Sequence, residues 1–247
     1  MYRRTLSRAR ERDHTEFQLS LITPIGRSPR ILPQRLFRDL LEVRETKVQP
    51  EATIACQSSR EDVILILLAL EGPLEVRGSR GERVGLQSGD VAKALVHPDE
   101  PVHLHNPSPS ELSRLLQIWL RQKDVGTEGR VVSKAFETKQ TRGTLLPVVS
   151  GQIHPEALVV DQDVAIYLSR LYPPEQLIFE TLPERSTFLF LIDGHLRVGE
   201  ERIHSGDGLA IWRESLVSIT AQDRSQFVLI DLPPGSQGEG QSFNSVP

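Results

Sequence analysis

Short apolar segments alternate with polar turns along almost the whole chain. Leu74 and Val76 alternate with charged neighbours, and Leu196 and Val198 follow the same pattern. A period of two is typical of a strand with one face buried. Clusters of Gly, Pro, Asn, Asp and Ser separate these segments and also bound four short apolar runs: LLQIWL (115–120), VAIYL (164–168), TFLFLI (187–192) and FVLIDL (227–232). The pattern predicts an all-β protein.

Two segments depart from simple alternation. The run VILILLAL (63–70) has eight apolar residues, whereas a membrane-spanning helix needs about 20, so it predicts a buried strand. The segment LPQRLFRDLLEVRE (32–45) has apolar residues at i, i+4, i+8 and i+11, which suits a short helix as well as a strand. Both interpretations stay open for this second segment.

An internal repeat gives the domain organisation. The segments EGPLEVRGSRGERVGLQSGDVAKALV (71–96) and DGHLRVGEERIHSGDGLAIW (193–212) share an acidic-Gly turn, a Leu-x-Val strand and a Ser-Gly-Asp turn in the same order. Glycine suits such turns because it tolerates positive φ, and aspartate suits them because it caps backbone N–H groups. The repeat predicts two similar β-units, at residues 1–135 and 136–234, followed by a disordered Gly/Ser/Pro/Gln-rich tail at 235–247.

Net charge, cysteine count and the N-terminal sequence exclude several classes of function. The net charge is −4, from 29 Lys+Arg and 33 Asp+Glu, so nothing in the overall charge favours direct binding to nucleic acid. The single cysteine, Cys56, excludes an intrachain disulfide and a multi-thiolate metal site. No apolar h-region follows the arginine-rich N-terminus, so we expect a cytoplasmic protein without a membrane partner.

Several motifs resemble the pirin-like bicupins, a family that includes quercetin 2,3-dioxygenases. They are LALEGPLEVRGSRG (68–81), NPS (106–108) followed by LLQIWLR (115–121), SGDGLAIWRES (205–215) and VLIDLPP (228–234). The resemblance implies two tandem double-stranded β-helix (jelly-roll) barrels. It also implies a non-haem metal site in the N-terminal barrel, held by a His-x-His pair on one strand and a His-x-Glu pair on a later one.

This chain departs from the family at all four ligand positions. Ungapped counting places the His-x-His pair on Ser58 and Arg60, and the His-x-Glu pair on Val102 and Leu104. Arginine has no lone pair to offer a metal, and its charge repels a cation. The sequence therefore predicts no cofactor and no quercetinase-type dioxygenase activity, because no ion is held to activate dioxygen.

What remains in the N-terminal barrel is a candidate pocket. It takes a small anionic or phenolic ligand through Arg60, or it is simply filled by side chains. Its predicted lining consists of Ser58, Arg60, Ile64, Val102 and Leu104.

A rearranged metal site is the alternative. A one-residue gap near residues 97–100 would turn His103 and His105 inward, and Cys56 could then supply a third ligand. Ordinary alternation instead predicts that Val102 and Leu104 face the core while both histidines face outward.

Two classes of function therefore stay open. The first is a non-enzymatic ligand-binding or regulatory module, with a protein partner, as in relatives of the pirin group that act as cofactors of transcription. The second is an enzyme, either a dioxygenase with the rearranged site or a metal-independent cupin enzyme. Fold alone does not choose between them.

Overall fold

The computed structural model describes residues 3–7, 37–59, 61–122, 131–151 and 154–234, and most of these residues lie in strands. The first strand is β1 (Arg3–Ser7). The strands of the N-terminal unit are β2 (Leu40–Val48), β3 (Thr53–Cys56), β4 (Val63–Glu71), β5 (Leu74–Arg77), β6 (Arg83–Leu86), β7 (Val91–Val96), β8 (Val102–His105), β9 (Ser113–Arg121) and β10 (Val132–Lys134).

The C-terminal unit follows a 3-10 helix at Thr138–Thr141. Its strands are β11 (Leu146–Ser150), β12 (Leu158–Val159), β13 (Ala165–Leu171), β14 (Gln176–Glu180), β15 (Ser186–Asp193), β16 (His195–Val198), β17 (Glu201–His204), β18 (Gly208–Trp212), β19 (Leu216–Ala221) and β20 (Ser225–Leu232). Within the described ranges, no helix has the length and apolar character needed to cross a bilayer.

Each unit consists of two β-sheets packed on one another. The N-terminal unit has a five-stranded sheet in the order β10-β7-β4-β9-β2 and a four-stranded sheet in the order β3-β8-β5-β6. The C-terminal unit has a seven-stranded sheet in the order β1-β18-β15-β20-β13-β11-β12 and a four-stranded sheet in the order β14-β19-β16-β17. The all-β class and the tandem jelly-roll arrangement are confirmed.

The two copies of the repeat form equivalent turns. In the first copy Asp90 accepts a hydrogen bond from the backbone N–H of Gln87 at 2.8 Å. In the second copy Asp207 accepts one from the backbone N–H of His204 at 2.9 Å. Both aspartates therefore fix the turn that leads into the next strand, as the sequence predicts.

Each unit has its own hydrophobic core, and a further cluster of buried apolar residues lies between the two units. Alternate residues of β4 face opposite ways: Val63, Leu65 and Leu67 pack inside the N-terminal unit. The residues between them, such as Ile64 and Ile66, pack against the seven-stranded sheet of the C-terminal unit. Burial on both faces explains why this strand is apolar without interruption.

Two expectations change at the start of the chain. Residues 40–45 are part of β2, which pairs with β9, so the helical interpretation is wrong there. Strand β1 lies in the range predicted for the N-terminal unit, yet it pairs with β18 of the C-terminal unit. Cross-unit pairing of this kind leaves no trace in local periodicity. The predicted tail at 235–247 lies outside the described residues.

Candidate functional site

The structure describes three of the four positions that ungapped counting aligns with the family's metal ligands, namely Ser58, Val102 and Leu104. Val102 and Leu104 are buried on β8, and their side chains pack in the core of the N-terminal unit. Ser58 lies in the turn between β3 and β4, where its hydroxyl donates to the backbone carbonyl of Glu61. Arg60, the predicted anchor, lies outside the described residues.

Ile64 does not share this interior. Its side chain belongs to the core between the two units, whereas Val102 and Leu104 belong to the core inside the N-terminal unit. The structure therefore brings Val102 and Leu104 together and separates Ile64 from them.

The rearranged Cys56/His103/His105 site is not formed. Cys56 points into the core opposite Val102, whereas both histidines lie on the other face of the same sheet and are partly exposed. His105 bonds through Nδ1 to the hydroxyl of Thr53 at 3.0 Å on that outer face. The ordinary alternation predicted for β8 is thus observed, and a regular strand cannot turn the two histidines inward.

Burial makes Cys56 a poor metal ligand and a poor nucleophile. Its side chain is buried, and desolvation raises the pKa of the thiol to about 12. The nearby Arg44 guanidinium opposes this shift but does not outweigh it. The thiol therefore stays protonated at neutral pH, whereas metals and electrophiles react with the thiolate.

Cys56 should accordingly resist alkylation in the folded protein. We expect iodoacetamide at neutral pH to leave the thiol unmodified under native conditions and to modify it once the chain is unfolded in urea. Intact-mass spectrometry measures both states. Equal rates of modification in the two states would show that Cys56 is accessible.

A different set of side chains occupies the interior at the edge of the N-terminal unit. Strand β2 is the edge strand of the five-stranded sheet, and its register places Arg44 opposite Gln117 of β9. We call this set the interior polar cluster, and it consists of Glu42, Arg44, Thr46, Cys56, Gln117 and Trp119.

Gln117 connects the members of the interior polar cluster. Its side-chain oxygen accepts hydrogen bonds from Arg44 Nη2 at 2.9 Å and from Trp119 Nε1 at 3.2 Å, with Cys56 Sγ at 3.7 Å. Its side-chain nitrogen donates to Thr46 Oγ1 at 3.0 Å. A buried amide whose oxygen and nitrogen are both engaged holds its neighbours in fixed orientations.

Opposite charges meet where this cluster reaches solvent. Arg44 Nη1 lies 3.6 Å from Glu42 Oε1, and the two side chains are 23% and 19% exposed. The guanidinium also lies over the Trp119 ring, 5.7 Å from its centre. A charged donor and a charged acceptor are therefore partly exposed beside a buried indole.

Sequence reasoning missed this cluster, although one signal was available. Gln117 is the only polar residue in the apolar run LLQIWL (115–120). A single amide in a buried strand needs polar partners from a neighbouring strand. The identity of those partners depends on the pairing of β2 with β9, which the sequence did not reveal.

A divalent metal of the kind bound in the family does not fit this interior. Val102 and Leu104 are apolar, and the hydroxyl of Ser58 is bonded to a backbone carbonyl. The thiol stays protonated, and the Gln117 oxygen already accepts three hydrogen-bond donors. Within the described ranges, no group of three or more His, Cys, Asp or Glu side chains is placed to hold a metal ion.

The fold and the repeated turns define a tandem cupin protein, and comparison with known proteins identifies the chains that it resembles. Residues 147–232 match the model of the quercetinase C-terminal cupin domain. The quercetin 2,3-dioxygenase of Escherichia coli K12 is 28% identical over 174 residues, which cover 70% of this chain and 74% of the relative. A pirin-like protein of Caulobacter vibrioides is 25% identical over 171 residues, covering 69% of this chain and 73% of the relative.

Solved structures agree in fold. The bacterial pirin YhhW of Escherichia coli, crystallised in complex with nickel(II), matches with a TM-score of 0.75 and 23% identity, covering 94% of this chain and all of that one. YhaK of the same organism matches with a TM-score of 0.69 and 22% identity, covering 78% and 85% of the two chains. The chain is therefore similar to pirin-like proteins and quercetin 2,3-dioxygenases in sequence, and to bacterial pirins in fold.

Proposed function

We propose that this protein is a metal-independent member of the pirin-like cupin family. Its N-terminal unit binds a small ligand that carries a phenolic or carboxylate oxygen. The proposal rests on which donor and acceptor groups lie inside that unit. Apolar Val102 and Leu104 occupy positions aligned with metal ligands, while Arg44 and Glu42 place a charged donor and a charged acceptor at the solvent-facing edge.

The chemistry of the interior polar cluster suits such a ligand. A phenolic hydroxyl can donate to the Glu42 carboxylate while its oxygen accepts from the Arg44 guanidinium. The indole of Trp119 lies under the Arg44 guanidinium and supports its position. Relatives named for quercetin act on a polyphenol, which supports a ligand of this class.

Arg60 remains a second predicted anchor. Its position in the sequence follows Ser58, which is buried in the turn after β3. Loss of dioxygenase activity follows from the same proposal, because the interior then has no ion to activate dioxygen. A regulatory role with a protein partner stays a prediction of the sequence.

A thermal-shift screen of phenols and small carboxylates tests the proposal. Wild type should be stabilised by at least one compound, and Arg44→Met should weaken its binding at least tenfold, because hydrogen bonds to charged groups contribute about 1.5–3 kcal/mol. Arg60→Leu tests the second anchor. The control is Arg77→Leu, which removes an arginine that pairs with Glu75 on the outer face of the four-stranded sheet.

The variant Glu42→Gln separates the two ligand classes. It removes a negative charge 3.6 Å from Arg44, so carboxylates should bind more tightly and phenols, which lose an ionised acceptor, more weakly. If Arg44→Met, Arg60→Leu and Arg77→Leu all bind the stabilising compound as wild type does, the proposed site is refuted.

A further inference from the structure

Two histidines face each other on the outer surface of the C-terminal unit. Strands β16 and β17 form a hairpin whose register places His195 opposite His204. Neighbouring Leu196 and Ile203 are buried, so the two imidazoles lie on the solvent side of the sheet, where their side chains are 52% and 56% exposed. The ring centres are 5.0 Å apart and the ring planes are nearly perpendicular.

Each imidazole is oriented by a carboxylate. His195 Nδ1 lies 2.5 Å from Asp223 Oδ2, and the other oxygen of Asp223 accepts from the backbone N–H of His195 at 2.7 Å. His204 Nδ1 lies 3.5 Å from Asp207 Oδ2, which also accepts the backbone N–H of His204 at 2.9 Å. Backbone bonds thus fix both carboxylates beside the rings.

The carboxylates determine where the free lone pairs lie. The hydrogen bond to Asp223 places the proton of a neutral His195 ring on Nδ1 and leaves the lone pair on Nε2. This is the arrangement in which histidines usually bind metal ions.

The spacing of the rings also suits a shared ion. With metal–nitrogen bonds of about 2.1 Å and N–metal–N angles between 90° and the tetrahedral value, two bound imidazole centres lie roughly 4.6–5.3 Å apart. The observed 5.0 Å falls within this range. We propose that His195 and His204 form a two-histidine site for a divalent transition-metal ion, with Asp223 and Asp207 as orienting partners.

Such a site leaves coordination positions of the metal unfilled by protein, and its imidazole ligands favour some metal ions over others. Water, or donors from another molecule, must complete the coordination, since the protein supplies two nitrogens. Imidazole favours Zn²⁺, Ni²⁺ and Cu²⁺ over Mg²⁺ and Ca²⁺, which prefer oxygen ligands. The exposed cross-strand pair Arg197 and Arg202 lies further along the same hairpin.

Isothermal titration calorimetry with Zn²⁺ on the full chain, after treatment with a chelator, tests the site. Wild type should bind, and His195→Gln and His204→Gln should each weaken binding at least tenfold. Asp223→Asn should weaken it by a similar factor, as partners of metal-bound histidines do. His103→Gln is the matched control, because it removes a partly exposed histidine from the N-terminal unit. With Cu²⁺, electron paramagnetic resonance should show two imidazole nitrogens bound to the ion.

Two outcomes of the Zn²⁺ titration would contradict the two-histidine site. Absence of Zn²⁺ binding by wild type, or wild-type affinity in both histidine variants, overturns the proposal. The replaced side chains are exposed, and circular dichroism verifies that each variant is folded. The ligand-binding proposal for the N-terminal unit does not depend on this outcome, since Arg44 and Glu42 lie in the other unit.

Discussion

Replacing Arg185 with methionine is expected to lower the free energy of unfolding by about 3–5 kcal/mol, the usual effect of breaking a buried ion pair. Arg185 Nε donates to Asp231 Oδ2 at 2.6 Å, and Nη1 donates to Asp163 Oδ2 at 2.9 Å. The side chains of Arg185 and Asp231 are only 10% and 7% exposed. Removing the guanidinium leaves a buried carboxylate without its main counter-charge.

Urea denaturation measured by circular dichroism gives this difference. Arg142→Met is the matched control in the same unit, because Arg142 pairs with Glu175 at 3.2 Å while 65% exposed. We expect its effect to stay below about 1 kcal/mol. Replacing both partners, Arg185→Met with Asp231→Leu, should restore part of the lost stability. A loss in Arg185→Met no larger than in Arg142→Met would contradict the assignment.

The second large effect is expected at the contact between the two units. Arg114 of β9 donates to Glu45 at 2.6 Å within the N-terminal unit. The same guanidinium donates to Asp193 at 3.1 Å and to the backbone carbonyl of Ile192 at 3.2 Å in the C-terminal unit. Desolvation acts to lower the pKa of Arg114, but its carboxylate partners dominate and raise it, so the guanidinium stays charged.

Arg114→Met should therefore destabilise the protein by about 3 kcal/mol. The two tryptophans allow each unit to be followed separately, because Trp119 lies in the N-terminal unit and Trp212 in the C-terminal unit. Fluorescence of the variants Trp212→Phe and Trp119→Phe, each combined with Arg114→Met, should show earlier unfolding of both units.

Arg121→Met provides the control for Arg114. Arg121 lies on the same strand, but its partner Glu61 belongs to the same unit and both side chains are well exposed. We expect a change of less than about 1 kcal/mol. If Arg114→Met matched this control, the ion pairs between the units would contribute little, and the shared apolar core alone would hold the units together.

The sequence predicted the strands and the repeated turns because these depend on neighbouring residues. Alternation at Val102 and Leu104 correctly placed His103 and His105 outside the core. The direction of Ile64 was not predictable, because β4 is apolar on both faces and its periodicity carries no orientation.

The features that the sequence did not predict depend on contacts between strands. The pairing of Arg44 with Gln117 joins residues far apart in the chain, and no local pattern encodes it. The facing histidines are different, since His195 and His204 are equidistant from the Gly199-Glu200 turn. Hairpin symmetry could have paired them, whereas their carboxylate partners required the fold.

Metal content tests the proposal that the interior of the N-terminal unit holds no metal ion. The most direct test is the metal content of the His195→Gln/His204→Gln variant, purified after growth with iron, manganese, nickel or zinc and measured by mass spectrometry. Those two substitutions remove the proposed surface site, so any remaining tightly bound ion must lie elsewhere. We predict far less than one ion per chain. One tightly held ion per chain, lost when Cys56, His103 or His105 is replaced, would contradict the account.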